Sequence, residues 1–165
     1  AFAHAGMAVT VIGMLGSGLM ADNARQSMAI GDRMPINERY MVELRAVHTL
    51  IIDNFNAERA ILDIYDTSGD NNRPITTLKP EQRWYPIAGQ STAEVSFEPV
   101  ALSDLYAVIE GVAKSDTDGE ARWIINVRYN PYIQCLWLGW IIMLFGGMIA
   151  LIKKIKLHIE TDKTG

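Results

Sequence analysis

The hydrophobic pattern of the chain is dominated by two stretches without a single charged side chain, residues 1–21 and 129–152. A helix needs about 20 consecutive apolar residues to cross the hydrocarbon core of a bilayer. Each stretch contains a run of about that length, residues 2–20 in the first and residues 133–152 in the second. The sequence therefore predicts transmembrane helices over residues 1–21 and 131–152.

The flanks of the second stretch indicate its direction in the membrane. Aromatic side chains gather at its beginning, as they do at membrane–water interfaces; they are Tyr129, Tyr132, Trp137 and Trp140. Three lysines follow its end, Lys153, Lys154 and Lys156. Because positive residues mark the cytoplasmic or matrix side, this helix is predicted to run from outside to inside. Residues 22–132 then lie outside, and residues 153–165 form a basic tail on the cytoplasmic side.

Small residues recur at helical spacing in both stretches. Gly13 and Ser17 are four residues apart, and so are Gly146 and Ala150. Small residues at this spacing let two helix backbones approach closely in lipid. Glycine is also commoner in membrane helices than in soluble ones, so the sequence leaves close packing and simple composition both open.

The segment between the two stretches alternates apolar and polar residues with the period of two that is typical of β-strands. Strands are predicted at residues 40–47, 59–65, 74–78, 92–97, 105–109 and 123–129, with turns at residues 68–74 and 115–119. Short strands at this spacing favour a sandwich or barrel. The predicted fold class is thus a membrane protein in which two transmembrane α-helices flank a small all-β extramembrane domain. That domain covers residues 39–130 and follows a linker of residues 22–38.

The distribution of charge excludes several classes of function. The chain has 165 residues and a net charge of −4, but residues 22–128 alone hold 11 basic and 17 acidic side chains. A protein that binds nucleic acid needs a basic face, and this large block is acidic. Cys135 is the only cysteine, which excludes a disulfide within the chain, a cysteine-based zinc site and a CxxCH haem-attachment motif.

His4 is the most informative candidate for chemistry, because it lies inside an uncharged predicted span. An ionisable group is costly there unless it is paired. Binding of a metal or cofactor, relay of protons, and simple hydrogen bonding between helices all remain open for it. His48 lies in a predicted strand without a nearby ligand cluster, and His158 lies in the basic tail, so neither is predicted to bind metal.

No catalytic motif is recognisable, and no catalytic residue is assigned. The chain has no GxSxG sequence and no phosphate-binding loop. Arg83, Trp84 and Tyr85 form an aromatic and basic cluster that could meet a haem propionate or a lipid headgroup. The ordinary interpretation of this cluster, a strand with a solvated arginine, is favoured by its spacing.

An ordered series of motifs resembles the CcmF family, the haem lyase subunits of type I cytochrome c maturation, which includes CycK- and NrfE-like proteins. Residues 78–85, LKPEQRWY, are similar to the family's L-x-P-E-K-R-x-Y. Residues 104–106, DLY, are similar to its R-D-L-Y, and residues 54–60, NFNAERA, to its N-Y-x-A-E/K-x-A. The beginning of the chain, AHAGMAV over residues 3–9, is similar to A-H-x-G-x-A-V. The matches run in order along nearly the whole chain, with compatible spacing.

The resemblance implies a concrete role for His4. In the family, two histidines from different helices hold a b-type haem inside the membrane, and His4 matches the position of one of them. The resemblance therefore implies that His4 is an axial ligand of the iron of haem b, with the second ligand outside this segment. The family's tryptophan-rich motif and its outward-facing pair of histidines are not found in this chain.

The resemblance also implies a setting for the rest of the chain. The domain of residues 39–130 corresponds to the family's late outside domain, in the periplasm of a bacterium at the inner membrane or in the intermembrane space of a mitochondrion. The implied partners are the remaining part of the CcmF-like protein, CcmH-like and CcmE-like maturation proteins, apocytochrome c with its CxxCH peptide, and the lipid bilayer. The chain begins with Ala, directly followed by a predicted span, so we expect a piece of a larger membrane protein that is not catalytic alone.

Departures from the family pattern leave an alternative open. The arginine before Asp-Leu-Tyr is Ser103 here, and the lysine before the proline is Asn130. The alternative is a non-enzymatic membrane subunit with two spans whose β domain docks protein partners.

Overall fold

A computed structural model describes residues 2–69, 73–113 and 120–162, with side chains up to residue 156. The predicted turn at residues 115–119, the centre of the turn at residues 68–74 and the side chain of His158 lie outside the described residues. The chain divides into two compact units. One consists of the terminal segments Ala1–Met20 and Asn130–Gly165, and the other is the continuous segment Ala21–Tyr129.

The terminal unit contains two helices, α1 (Phe2–Leu19) and α2 (Ile133–Asp162). The segments Phe2–Leu19 and Ile133–Lys156 are both long and apolar enough to cross a membrane, judged by length and composition. The predicted tail of residues 153–165 does not begin as a separate segment, because α2 continues to Asp162. Lys, Ile and Leu dominate there, without Gly or Pro, and none of these residues interrupts a helix.

Glycines allow the two helices to pack in close antiparallel contact. A Cβ atom added to Gly6 would lie 2.6 Å from the carbonyl oxygen of Gly139, and one added to Gly13 would lie 2.6 Å from the backbone nitrogen of Leu136. At Gly146 an added Cβ would lie 2.8 Å from the backbone nitrogen of Ala3. The close approach that the small residues permit therefore occurs at both Gly13 and Gly146.

The second unit is a β-sandwich. Its strands are β1 (Asp22–Met28), β2 (Arg33–Pro35), β3 (Tyr40–Ile52), β4 (Phe55–Asp66), β5 (Thr76–Leu78), β6 (Glu81–Tyr85), β7 (Gln90–Glu94), β8 (Ser96–Val100), β9 (Ser103–Ala113) and β10 (Arg122–Asn130). Sheet A has the order β1-β10-β9-β8. Sheet B has the order β2-β3-β4-β6-β7, with β5 also paired to β4. This architecture confirms the predicted fold class, in which apolar helices precede and follow a small all-β domain.

The core of the sandwich comes from the inward positions of the alternating pattern, because successive residues of a strand point to opposite faces. From sheet B the completely buried side chains are Val42, Leu44, Leu62, Ile64 and Leu78. From sheet A they are Met28, Leu105, Ile109, Ile125 and Val127. The two inner faces form one cluster, which explains why the strands β3, β4, β9 and β10 were recognisable from the sequence.

The linker predicted for residues 22–38 is instead part of the sandwich. β1 pairs with β10 in antiparallel register from Asp22 opposite Tyr129 to Met28 opposite Trp123, and β2 pairs with β3. The segment is rich in Asp, Asn, Gln and Arg, which have little intrinsic preference for strands, so the pairing partner decides its conformation.

Two further strand predictions need correction. A strand was the favoured interpretation for residues 83–85, but β6 begins earlier, at Glu81, because the polar residues Glu81 and Gln82 give no strand signal. The single strand predicted for residues 92–97 is divided at Val95 into β7 and β8, which belong to different sheets.

The glycine contacts predict that even one methyl group on the helix interface is destabilising. An added Cβ at Gly139 would collide with the Thr10 hydroxyl and would lie 2.5 Å from the carbonyl oxygen of Gly6. We expect Gly139→Ala to lower the stability of the helical unit by about 1–3 kcal/mol, the usual cost of overpacking. Thermal unfolding in detergent micelles, followed by far-UV circular dichroism, measures the change.

The matched control is Gly147→Ala, on the same helix, where an added Cβ meets nothing within 4 Å. It should leave the unfolding temperature unchanged or raise it slightly, because Ala favours a helix more than Gly does. Equal losses in the two variants would contradict the assigned interface.

Candidate functional site

His4 lies in the first turns of α1, and its residue is exposed on the surface of the helical unit. Gly13, nine residues later, is buried against Leu136 of α2. Nine residues are two and a half turns of an α-helix, so His4 and Gly13 lie on opposite faces. The imidazole of His4 is therefore directed away from α2, toward whatever surrounds the helix pair.

The second described histidine side chain, His48, belongs to the β-sandwich. His48 is an exposed residue of β3, opposite Arg59 of β4, and thus belongs to the other unit. Among the residues that the structure describes, no group of three or more His, Cys, Asp and Glu side chains could hold a metal ion. The described residues therefore assemble no such group of three or more around His4.

A second candidate site is a cluster on the outer face of sheet B, which we call the Glu81 cluster and define as Phe55, Arg59, Glu81, Arg83 and Tyr85. The nearly buried carboxylate of Glu81 accepts hydrogen bonds from Nε of Arg59 at 2.6 Å and from Nε of Arg83 at 2.9 Å. Two arginines on neighbouring strands thus share one carboxylate.

Aromatic rings complete the Glu81 cluster. The guanidinium of Arg83 lies 4.8 Å from the ring centroid of Phe55, within the range of a cation–π interaction. The rings of Phe55 and Tyr85 lie 5.5 Å apart. Two motifs from the sequence, residues 54–60 and residues 78–85, therefore meet on adjacent strands and one face.

Arg83 is neither a solvated arginine nor a free anion site. Besides Glu81 it pairs with Glu94 of β7, at 3.2 Å. Since two carboxylates neutralise it, its charge serves the sheet, and neither a propionate nor a lipid headgroup is needed to explain it. The same two ion pairs show that the prediction of an ordinary solvated arginine was wrong.

The electrostatics of Glu81 show which effect prevails in the cluster. Burial by itself raises the pKa of this carboxyl, but the hydrogen bonds from Arg59 and Arg83 outweigh burial and lower the pKa below its ordinary value. The hydrogen bond to Glu81 also raises the pKa of Arg83. Glu81 is therefore a fixed anion, unsuited to proton transfer near neutral pH.

Further ion pairs extend along the same outer face. Asp63, almost completely buried, accepts a hydrogen bond from the Thr77 hydroxyl at 2.6 Å and pairs with Arg45 at 3.1 Å. At the end of β4, Asp66 has the parity of the inward residues Leu62 and Ile64 and does not belong to this outer face. Hydrogen bonds from Arg39 and Ser68 lower the pKa of Asp66 to about 2. The ion pairs of the outer face were not predicted from the sequence, although charged residues two positions apart on one strand, such as Glu81 and Arg83, indicate them.

The inner face of sheet B forms an open groove beyond the core. Its volume is about 440 Å³, and its lining residues are Thr49, Asn56, Ala57, Glu58, Gln82, Trp84 and Ser91. The indole nitrogen of Trp123 donates to the Glu58 carboxylate at 3.3 Å. Beside the groove, the two hairpin tips of sheet B carry exposed Ile51 and Ile87, which are 83% and 95% accessible.

The fold agrees with comparisons to known proteins. A family model described as the CcmF C-terminal beta-sandwich matches residues 20–131. That match covers more than half of the chain, and the chain belongs to the CcmF family of cytochrome c biogenesis proteins.

Several characterised relatives are similar over nearly the whole chain. The cytochrome c-type biogenesis protein NrfE of Haemophilus influenzae is 28% identical over 90% of this chain, and CcmF of Escherichia coli is 27% identical over 98%. The chain covers only 22% and 24% of the lengths of these two proteins. The solved structure of the cytochrome c heme lyase CcmF shares the fold, with a TM-score of 0.61 and 13% identity over 89% of this chain and 23% of that one.

The Glu81 cluster predicts a stabilising role that can be measured. Glu81→Gln leaves two arginines facing a neutral amide, and we expect it to lower the free energy of unfolding by about 1–3 kcal/mol. The partly exposed arginines, at 40% and 28% accessibility, keep the loss below that of a fully buried pair. Urea unfolding of the chain in detergent, followed by tryptophan fluorescence, measures this loss.

The difference in unfolding free energy between the native chain and Glu81→Gln is also predicted to depend on pH. Because the pKa of Glu81 is lowered in the folded state, the carboxylate stabilises the fold fully above its ordinary pKa of 4.5. This stabilisation disappears as the pH falls through the lower folded-state pKa. The control Glu94→Gln removes a half-exposed partner of Arg83 and should cost no more than about 0.5 kcal/mol. A loss in Glu81→Gln that stays constant down to strongly acidic pH would contradict this assignment.

Proposed function

We propose that this chain is the C-terminal segment of a CcmF-like cytochrome c haem lyase, in which His4 is one axial ligand of a membrane-embedded haem b. The observation that carries the proposal is the direction of His4. It faces away from the glycine interface with α2, so its imidazole is available to a group held between α1 and other helices. The second axial ligand comes from outside this segment.

The residues present fit such a group. Neutral imidazole is a strong ligand for haem iron, and an uncharged helix surface suits a macrocycle in the bilayer. The chain supplies a single histidine on that surface, as expected where two helices of different segments each contribute one ligand. The haem would supply one-electron chemistry that keeps the substrate haem iron, or its chaperone adduct, reducible.

The chain's own residues would position this ligand. The close contacts at Gly6 and Gly139 fix the rotation of α1 against α2, and this rotation sets the direction of His4. The other ring nitrogen of His4 needs a hydrogen-bond partner that selects the tautomer, as for other metal-bound histidines. That partner also comes from outside this segment.

We further propose that the β-sandwich faces the bacterial periplasm at the inner membrane, or the intermembrane space in a mitochondrial relative. The lysines at positions 153, 154 and 156, after the apolar part of α2, support an orientation in which this helix ends on the cytoplasmic or matrix side. The partners of this chain would be the rest of the lyase, CcmH-like and CcmE-like proteins, and apocytochrome c. The whole assembly would form thioether bonds between haem vinyl groups and CxxCH thiols, with this segment contributing position and redox control.

A second candidate function is a non-enzymatic membrane subunit whose β domain docks other proteins. The exposed isoleucines at the hairpin tips of sheet B favour it, since large apolar side chains gathered at one end of a domain mark interaction sites. This alternative assigns no ligand role to His4. The two functions therefore differ in the consequence of removing a single imidazole.

A reduced-minus-oxidised visible spectrum tests the haem ligand. The chain is purified in detergent through its own tag, together with the upstream part of the lyase. We expect a bis-histidine b-haem spectrum in the native assembly, and its loss or a clear shift in His4→Ala. His4→Met should give a shifted spectrum, because a thioether can replace imidazole as an axial ligand.

The matched control is Met7→Ala, an exposed residue almost one turn further along α1. It should leave the spectrum unchanged, as should His48→Ala in the β domain. If His4→Ala keeps the native spectrum while the assembly stays intact, His4 is not a ligand, and the docking subunit becomes the better description.

A further inference from the structure

The groove on sheet B adjoins a sheet edge that is open to pairing. Along the two sheet orders, the described edge strands are β1 and β8 in sheet A and β2 and β7 in sheet B, and the three-residue β5, paired only with β4, adds a further short edge. Edge strands expose unpaired backbone groups, and proteins often block them with proline. β2 contains Pro35 and β8 contains Pro99, whereas β1 and β7 contain no proline. Of the described edges without proline, which are β1, β5 and β7, only β7 contributes a lining residue to this groove, Ser91.

The register of sheet B places suitable side chains behind that edge. Ser91 of β7 lies opposite Trp84 of β6, and Trp84 lies opposite Asn56 of β4. These three residues share the inner face and line the groove. A long side chain from a strand added beside β7 could cross the small Ser91 and lie on the indole face of Trp84, which is 46% accessible.

The charge of the groove selects the sign of that side chain. Glu58 is the charged residue among the described lining residues, and in the described part of the chain it forms no ion pair. The surrounding block of residues 22–128 has an excess of six acidic side chains. An indole face near a carboxylate favours a Lys or Arg side chain.

We propose that the free edge of β7 and the groove beside it bind an extended, basic peptide segment by strand addition. Backbone hydrogen bonds to β7 hold the peptide, and a lysine or arginine that crosses Ser91 contacts Trp84. Glu58, two strands further in than β7, attracts this cation at longer range. The inference deepens the proposed function and rests on it only for the identity of the bound peptide, an unfolded segment of the substrate polypeptide.

The test uses the full chain in detergent and fluorescein-labelled synthetic peptides of about ten residues, a length that covers the five-residue edge strand with flanks. One peptide alternates Thr and Lys, and a second replaces each Lys by Glu. Two further versions of the basic peptide carry N-methyl groups on alternate backbone amides, one in each register. Fluorescence polarisation measures the dissociation constants at low and moderate salt.

We expect the basic peptide to bind and the acidic one not to bind. One of the two N-methylated peptides should lose binding, because only alternate backbone amides donate to the neighbouring strand. Trp84→Ala should weaken binding about tenfold, and Glu58→Gln about two- to threefold, with a smaller dependence on salt. The matched controls Phe97→Ala and Glu98→Gln change exposed residues of β8 and should leave binding unchanged.

Several outcomes would overturn the inference. Equal binding of basic and acidic peptides would exclude the charge selection, and full binding of both N-methylated peptides would exclude strand addition. If Trp84→Ala unfolds the domain, Trp84→Leu keeps the apolar volume without the aromatic face and should still weaken binding. His4→Ala should bind the peptide normally, so failure of this inference and failure of the haem assignment are separately visible.

Discussion

The structure depends on the pairing of the beginning and the end of the chain within each of its units. In the sandwich, β1 and β10 pair along the whole of β1, from Asp22 opposite Tyr129 to Met28 opposite Trp123. In the helical unit, α1 and α2 are antiparallel, with Gly16 against Tyr132 and Gly146 against Ala3. Segments more than 90 residues apart in sequence must therefore meet before either unit is complete. Such long-range pairing carries a large entropic cost of loop closure, which only extensive contact offsets.

The helix contact also determines where chemistry is possible. Glycines on one face of α1 allow the backbones to touch, and this contact commits that face to α2. His4 lies half a turn away from Gly13 in rotation and consequently cannot serve the interface. For a polar side chain that is unused within its own helix pair, a partner outside the pair would offset the cost of placing it in a membrane. The packing of small residues and the proposed ligand role of His4 are thus two consequences of one helix rotation.

The sequence revealed those features of the fold whose signal is local. Charge-free runs identified both helices, and alternation identified β3 and β9, because Val42, Leu44, Leu105 and Ile109 face a single core. β1 was missed because its side chains are mostly polar, and pairing with β10 decides its conformation. For the site, His4 could be selected by type and position alone. The pairing of Arg59 with Glu81 could not, because these residues are 22 positions apart and only the register of β4 and β6 joins them.

The strand β6 shows how one short motif can serve both the fold and a surface. Its alternate residues Glu81, Arg83 and Tyr85 face outward into the ion-pair and aromatic cluster, where every charge is neutralised. The residues between them, Gln82 and Trp84, line the groove on the other face. A resemblance carried by the first set therefore reports the architecture of sheet B, since those side chains contact one another and their neighbours on β4 and β7. The proposed peptide binding depends on the second set, and especially on Trp84, which the packing of the sandwich leaves 46% accessible.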